Sequence, residues 1–178
     1  VVSVPAANAK TQSTTISKAY LADGNTKVTV DRFTIVADHQ AKFNGKADSF
    51  NASIVGRSGA YADNDVNVTI EAVVGSNAVI EAENIYIDAI SEVDKPSVSG
   101  YNVISGSGGL IDLPATKSES DIVSTAKVRV KDGARVELVG DMERPGDLHI
   151  NALNDIYARD KAKLDSGGAI AVARAESL

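Results

Sequence analysis

The most constraining feature of the chain is a degenerate phrase that recurs four times. A Ser-Gly-Gly phrase followed by small apolar residues lies at 166–177, and three more diverged copies precede it. Self-similarity of this kind is typical of repeat architectures, in which each unit buries its apolar face only against its neighbours. The sequence therefore predicts a stack of repeats. The copies span residues 15–23, 53–63, 107–115 and 166–177.

A β-rich triplet follows each of the first three copies, at 28–30, 66–68 and 128–130. The first two triplets begin at equal distances after Ile16 and Ile54, the isoleucines of their copies, whereas the third begins farther from Ile111. The step from Ile16 to Ile54 predicts a first unit that is shorter than the later ones.

A second internal match covers the middle of the chain. Residues 75–89 resemble residues 132–138 joined to 146–152, which leaves 142–145 as an insertion at a turn. Pro145 in this insertion cannot donate a ladder hydrogen bond, so it suits a loop. The match predicts a long unit of about 60 residues, built of three coils of about 20 residues each.

Composition favours strands over helices. Val and Ile together number 35, against 8 Leu and 25 Ala, and only 4% of residues are aromatic. β-branched residues favour strands, and we predict fifteen short ones, among them 27–30, 32–36 and 41–43, separated by Gly- and Asn-containing turns. The best helical candidate, 155–165, has no apolar stripe and is predicted to be strand or loop. The fold class is predicted to be all-β.

Three segments carry a resemblance to a known family. Residues 59–64, 146–152 and 166–172 resemble the repeats of leukotoxin-type filamentous adhesins, which are large secreted proteins of Gram-negative bacteria related in style to filamentous haemagglutinins. The resemblance implies a right-handed parallel β-helix, or β-solenoid, exposed outside the cell or on the bacterial surface. It also implies a role in adhesion or filament building.

Composition and charge bound the remaining possibilities. The formal net charge is −6 and no basic stripe stands out, which argues against nucleic-acid binding through phosphate neutralisation. No long apolar run predicts membrane insertion, and the first residues lack the charged region of a signal peptide. Cysteine is absent. We expect residues 1–178 to form a single β-solenoid segment, a fragment of a much longer repeat protein.

Two sets of acidic residues are candidates for catalytic carboxylates. Glycoside hydrolysis needs two carboxyl groups in different environments across a cleft. Each set is instead predicted to lie on a solvated outer face. The sets are Glu81, Glu83 and Asp88 on adjacent strands, and Asp141, Glu143 and Asp147 around a turn.

No metal or cofactor site is expected. The run Asp63-Asn64-Asp65 lacks the following Gly and the bidentate Glu of a calcium loop. His39 and His149 are too far apart in sequence to indicate a metal pair, and His149 is predicted to point outward from its strand. No nucleophile elbow or phosphate-binding Gly-rich motif occurs. The sequence thus predicts no catalytic, cofactor-binding or metal-ligating residues.

Two residue types leave alternatives open. The five tyrosines could stack on sugar rings from an exposed face, or cover the ends of a core of small residues. The asparagines could stack as ladders between coils, or serve as turn residues. These residues are Tyr20, Tyr61, Tyr86, Tyr101 and Tyr157, and Asn25, Asn64, Asn77 and Asn84.

The function predicted from the repeats is structural. We expect a non-catalytic shaft segment of an adhesin or surface filament, with neighbouring repeats or end-to-end copies as partners and host-surface glycans or proteins as possible ligands. One alternative is a self-assembling fibre subunit, because open coil ends expose unpaired strand edges. The other is a β-helix enzyme acting on polysaccharides.

Overall fold

The chain folds entirely into strands and connecting turns. A computed structural model describes residues 2–96, 100–140 and 143–177, and within these ranges it contains thirteen strands and no helix. The predicted all-β class is confirmed. The strands are β1 Val2–Ser3, β2 Ala6–Leu21, β3 Lys27–Lys42, β4 Ala47–Ala52, β5 Val55–Val74, β6 Val79–Lys95, β7 Val103–Gly108, β8 Ile111–Val130, β9 Arg135–Leu138, β10 Asp147–Ala158, β11 Ala162–Ser166, β12 Ile170–Ala171 and β13 Arg174–Ser177.

The strands form three sheets in which every pairing is parallel. Sheet A contains β1, β2, β5, β8, β12 and β13; sheet B contains β3, β6, β9 and β10; sheet C contains β4, β7 and β11. The chain visits the sheets in the order A, B, C three times and then returns to sheet A. Each visit adds a strand directly beside the one from the previous visit.

The repeat period is much longer than the coils predicted from the sequence. Ile35 pairs with Ile87 and Ile87 pairs with Ile150, so one return of the chain spans residues 35–87 and the next spans 87–150. In the described ranges, no strand pairing joins residues whose separation in sequence is as short as one predicted coil. The predicted short coils are therefore wrong. One unit of about 60 residues is a single circuit through all three sheets, because parallel strands need a long crossover connection before they can pair.

The predicted equivalence of the first copy and its triplet with the later ones is also wrong. Ile16 pairs with Thr69, whereas Ile54 lies in a bend before β5, so the step from Ile16 to Ile54 is not a repeat unit. The first circuit is still slightly shorter than the second in sheet A, because Ile70 pairs with Ser17 and with Ala126, steps of 53 and 56 residues. Among the triplets, residues 28–30 lie in sheet B and the other two in sheet A. Val66 pairs with Ile122 and not with Val128, so even the two triplets in sheet A are out of register.

Two of the internal matches are confirmed by the register. Ile111 pairs with Ile170, which aligns the last two copies of the phrase. In sheet B, residues 79–82 pair with 135–138 and residues 84–95 pair with 147–158. Residues 143–145 of the insertion lie between β9 and β10 while β6 runs through, and Pro145 is outside any strand as predicted. A Cβ on Gly146 would lie 2.4 Å from the Glu83 carbonyl oxygen, so glycine lets the chain return to the sheet.

The strands are longer than predicted. The three short runs at 27–30, 32–36 and 41–43 lie on one strand, β3, or at its end. Asp31, Asp38 and Gln40 between these runs are exposed, and a strand can carry them without interruption. Predicted turns at 23–25, 75–77 and 132–133 are confirmed, with positive φ at Gly24, Asn77 and Gly133. The segment 155–165 is strand and loop, also as predicted.

The interior is apolar between sheets A and B and polar between sheets A and C. The larger buried cluster consists of Val, Ile and Ala, among them Val68, Ile70, Ile80 and Ile87. The smaller cluster holds only Ala47, Ala60, Ala62 and Val103. Serines fill the rest of that side, and the hydroxyls of Ser58 and Ser105 lie 2.6 Å apart in a buried hydrogen bond.

Candidate functional site

Of the acidic residues considered for catalysis, Asp88 and Asp147 do not meet in a pair, whereas Glu83 lies beside Asp147 across the sheet, because its neighbour Asn84 pairs with Asp147. Glu81, Glu83 and Asp88 lie on one strand, β6, and not on adjacent strands. Asp147 on β10 is opposite Asn84. Asp88 is thus four positions further along the sheet, roughly 13 Å away at the rise of a strand. That separation exceeds the one used by glycosidase carboxylates. Asp141 lies outside the described residues, and Glu143 lies in the bend that precedes β10.

Sheet B carries a polar cluster on its outer face. The Tyr86 hydroxyl donates to Asp147 Oδ2 at 2.9 Å, and His149 Nε2 lies 3.1 Å from Asp88 Oδ1. The guanidinium of Arg32 stands 5.1 Å from the centroid of the Tyr86 ring. The hydrogen bond to Asp147 raises the pKa of Tyr86, so the phenol stays protonated. This cluster ties β3, β6 and β10 together through cross-strand contacts.

The two histidines face opposite sides of sheet B. His149 points outward, as predicted. His39 on β3 points inward beside Ser91, and its Nε2 is buried without a hydrogen-bond partner in the described part of the chain. The histidines therefore share no site. Among the described residues, no group of three His, Cys, Asp or Glu side chains could hold a metal ion.

The run Asp63-Asn64-Asp65 is extended strand and not a loop. Asn64 points inward, is fully buried, and donates from Nδ2 to the Glu119 carbonyl oxygen at 3.1 Å. Asp63 and Asp65 point outward, away from Asn64. A strand sends alternate side chains to opposite faces, so these three residues cannot surround one ion.

Of the four asparagines singled out from the sequence, Asn64 and Asn84 have no asparagine beside them, whereas Asn25 and Asn77 lie at equivalent positions of successive circuits, because Lys27 pairs with Val79. Asn64 pairs with Thr11 and Ser120, and Asn84 pairs with Arg32 and Asp147. Asn25 and Asn77 lie in turns between sheets A and B.

All five tyrosines lie at least partly exposed, and Tyr20 lines a surface depression on sheet A. We call this depression, about 380 Å³ in volume, the Tyr20 groove. Tyr20, Val73 and Arg129 are directly opposite one another on β2, β5 and β8, so they form one row across the outer face of sheet A. The groove is lined by Lys18, Tyr20, Leu21, Ala22, Asp23, Glu71, Val73, Arg129 and Lys131.

Charged side chains of fixed position surround the Tyr20 groove. Glu71 accepts from Lys18 Nζ at 2.8 Å and lies 3.6 Å from an Arg129 nitrogen. Asp23 accepts from Lys131 Nζ at 3.0 Å and from the Ser76 backbone N–H at 2.7 Å. The hydrogen bond from Lys18 lowers the pKa of Glu71, and the backbone bond from Ser76 followed by that from Lys131 lowers the pKa of Asp23. Both carboxylates are ionised at neutral pH.

A second depression, the Tyr61 groove, lies at the other end of the same face. It is also about 380 Å³ in volume and is lined by Arg57, Tyr61, Ala115, Thr116, Lys117, Arg174 and Glu176. The Tyr61 ring lies against its own strand, because a Cβ on Gly59 would come within 2.9 Å of the ring. One face of this ring is therefore already covered by the sheet.

A buried ion pair lies inside the molecule, where β6 and the β10–β11 turn meet β8. Lys95 has no exposed side-chain surface and Asp160 is 7% exposed. Lys95 Nζ donates to Asp160 Oδ1 and, at 2.7 Å, to the Ser120 hydroxyl. Ser118 donates to Asp160 Oδ1, and Ser120 donates to Oδ2 at 2.9 Å. Both charged groups of the pair are thus hydrogen-bonded, which is the condition for burying a charge.

Stability is expected to fall in acid because of Asp160. Burial alone would raise the pKa of this carboxyl, but hydrogen bonds from Lys95, Ser118 and Ser120 hold it below its ordinary value of 3.8. A depressed pKa contributes stability above the unfolded value, and that stability is lost as the pH falls through the folded value. Urea unfolding between pH 6 and pH 2 should show a steep loss below about pH 4. Asp160→Asn should flatten this loss, whereas Asp63→Asn at an exposed surface position should keep it.

Sequence reasoning missed both the buried pair and the Tyr20 groove. One signal for the pair was present: Lys95 continues the inward alternation of Val93, Ser91 and Ala89 on β6, so strand parity places its ammonium in the interior. No local pattern links Tyr20 to Val73 and Arg129, because each lies on a different strand of sheet A.

Comparisons with known proteins yield no relative. No protein-family model, no curated protein and no solved structure matches the chain. Within residues 2–96, 100–140 and 143–177, no helix is long and apolar enough to cross a membrane.

Proposed function

We propose that the chain is a shaft segment of a right-handed parallel β-solenoid, belonging to a secreted bacterial filamentous adhesin or surface filament. The observation that carries the proposal is the order in which the strands are added. The chain passes through sheets A, B and C in turn, and each new strand pairs in parallel with the strand of the previous circuit. Right-handed crossovers are the rule for parallel strands.

The open end of the stack supports a role within a longer array. On β10, Leu148, Ile150 and Ile156 occupy the positions that Ile85, Ile87 and Val93 fill in the interior one circuit earlier. The β10 side chains are nonetheless exposed, with Ile150 at 49%. The reason is that no further strand in the described part of the chain pairs with the other edge of β10. Apolar side chains and strand edges of this kind need a cover. Neighbouring repeats of the same chain, or an end-to-end copy, would provide it.

The electrostatics favour a non-catalytic role. A general acid needs a raised pKa, yet each shifted Asp or Glu in the described part of the chain has a lowered one. These are Asp23, Glu71, Glu81 and Asp160. The acidic net charge disfavours nucleic-acid binding. The resemblance to filamentous adhesins supports a location outside the cell, with no membrane insertion.

Cryo-electron microscopy of the native material tests the shaft. We expect thin rods with a repeat of about 4.8 Å along the axis, the spacing of neighbouring parallel strands. The repeat should persist along the whole rod, because each circuit adds one strand to each sheet. Compact particles with a single cleft, and without the strand repeat, would refute the shaft and favour a polysaccharide-active enzyme.

A self-assembling fibre subunit is the second candidate, and the exposed apolar row on β10 favours it. Sedimentation of the 178-residue chain should then show rods that lengthen with concentration. Ile150→Lys would place a charge on the open edge and should abolish the lengthening, while Tyr157→Lys on the outer face should not. Chains that stay monomeric at all concentrations would leave only the segment of a longer array.

A further inference from the structure

We propose that the Tyr20 groove binds a saccharide that contains a pyranose ring and a carboxylate, such as a hexuronate. This inference names a ligand class for the adhesive role, and so it rests on the proposed function. The shape of the groove, its exposed aromatic ring and the balance of charge around it support this assignment.

The shape of the groove suits one sugar ring. Its volume of about 380 Å³ lies within the range of small-molecule sites. Tyr20 and Arg129 flank Val73 on neighbouring strands, so they stand about 10 Å apart, two strand spacings. A pyranose ring can lie over Val73 between them.

The groove also offers an apolar surface for the ring. The Tyr20 side chain is 70% exposed, which leaves its aromatic face open to a ligand. Val73 is only 8% exposed although it points outward, so the side chains around it cover its methyl groups and Tyr20 provides the accessible apolar surface. The C–H face of a sugar can cover the Tyr20 ring, as aromatic side chains with a polar edge allow.

The polar groups supply both acceptors and donors. Asp23 is exposed and keeps lone pairs that can accept from sugar hydroxyls, and Lys131 holds it in place. The Glu71 side chain is only 11% exposed, and its role is to position Lys18 and Arg129. Arg129 touches Glu71 with one nitrogen at 3.6 Å, which leaves most of its donors available. A guanidinium binds a carboxylate through two parallel hydrogen bonds.

Charge decides between acidic and neutral sugars. Three cations, Lys18, Arg129 and Lys131, surround two carboxylates, Glu71 and Asp23, so the groove carries one excess positive charge. A ligand carboxylate neutralises this excess. A neutral hexose would leave it unbalanced.

The Tyr61 groove provides the matched control. It has the same volume and an aromatic ring, but the sheet already covers one face of that ring at Gly59. Its charge does not distinguish it, because Arg57, Lys117 and Arg174 also outnumber the acidic partners Glu119 and Glu176. The difference lies in the ring, since Tyr61 is 41% exposed and Tyr20 is 70% exposed. We expect no saccharide site there.

NMR titration of the 178-residue chain with a galacturonate trisaccharide and with a neutral galactose trisaccharide tests the inference. The uronate should bind more tightly and shift the signals of Tyr20 and Val73. Tyr20→Ala should weaken binding about tenfold, the loss expected for one stacked ring. Tyr20→Phe should retain binding, Arg129→Gln should remove the preference for the uronate, and Tyr61→Ala should change nothing.

Three results would overturn the inference: no binding of either trisaccharide, equal loss in the Tyr20 and Tyr61 variants, or no preference for the uronate. Near-identical amide spectra away from the groove would show that each variant is folded. Microscopy of the native material separates this failure from failure of the proposed function. Rods with the strand repeat but no saccharide binding would remove only the ligand assignment.

Discussion

Replacing Lys95 by Met is expected to lower the free energy of unfolding by about 3–5 kcal/mol, the usual result of breaking one side of a buried ion pair. The substitution leaves the Asp160 carboxylate buried with only Ser118 and Ser120 as donors. A methionine side chain fills similar space, so the loss comes from the unpaired charge and not from a cavity.

Urea unfolding at pH 7 measures this effect, and two further variants isolate its cause. Lys163→Met removes an exposed pair with Asp165 and should leave the unfolding midpoint almost unchanged. The double variant Lys95→Met with Asp160→Leu removes both charges and should recover most of the stability, since apolar replacements of buried pairs are often neutral. A single Lys95→Met variant as stable as the wild-type chain would show that Asp160 is solvated.

The buried pair illustrates what sequence can predict here and what it cannot. The alternation along β6 is visible in the sequence, and it places Lys95 with the inward residues. Its partner Asp160 lies 65 residues later, in the turn after β10. Only the folding of β6, β8 and β10 around one interior brings the two charges together, so no local pattern identifies the pair.

The fold, too, was predictable from the sequence only in part. The excess of Val and Ile predicted strands, and the match of residues 79–82 with 135–138 correctly predicted register partners. The period was wrong because a parallel pairing depends on a distant strand, and local turn signals do not say which one. Short polar interruptions such as Asp31 on β3 looked like strand ends, yet they face solvent within one continuous strand.

The candidate site was predictable only in part. An exposed position for the tyrosines was one of two alternatives open from the sequence, and Tyr20 occupies such a position. Val73 and the guanidinium of Arg129 come from the next two circuits of the chain. Their alignment beside Tyr20 follows from the register and not from any motif.

Replacing Ile87 by Ala should destabilise the chain by about 2–5 kcal/mol, the range for truncating a buried isoleucine. Ile87 is fully buried on β6 between its register partners Ile35 and Ile150. A small core of Val, Ile and Ala cannot collapse easily around the missing atoms, because both neighbouring strands are held in register by their backbone hydrogen bonds. Urea unfolding at a low protein concentration provides the measurement.

Ile150→Ala is the matched control, since it removes the same atoms from the same row one circuit later. Ile150 is half exposed on the open edge, so its truncation should lower the free energy of unfolding by about 1 kcal/mol. If the isolated chain stacks end to end, the next copy buries Ile150, and the two variants should become equally destabilised as protein concentration rises. A larger loss for Ile150→Ala than for Ile87→Ala at low concentration would contradict the order of the strands in sheet B.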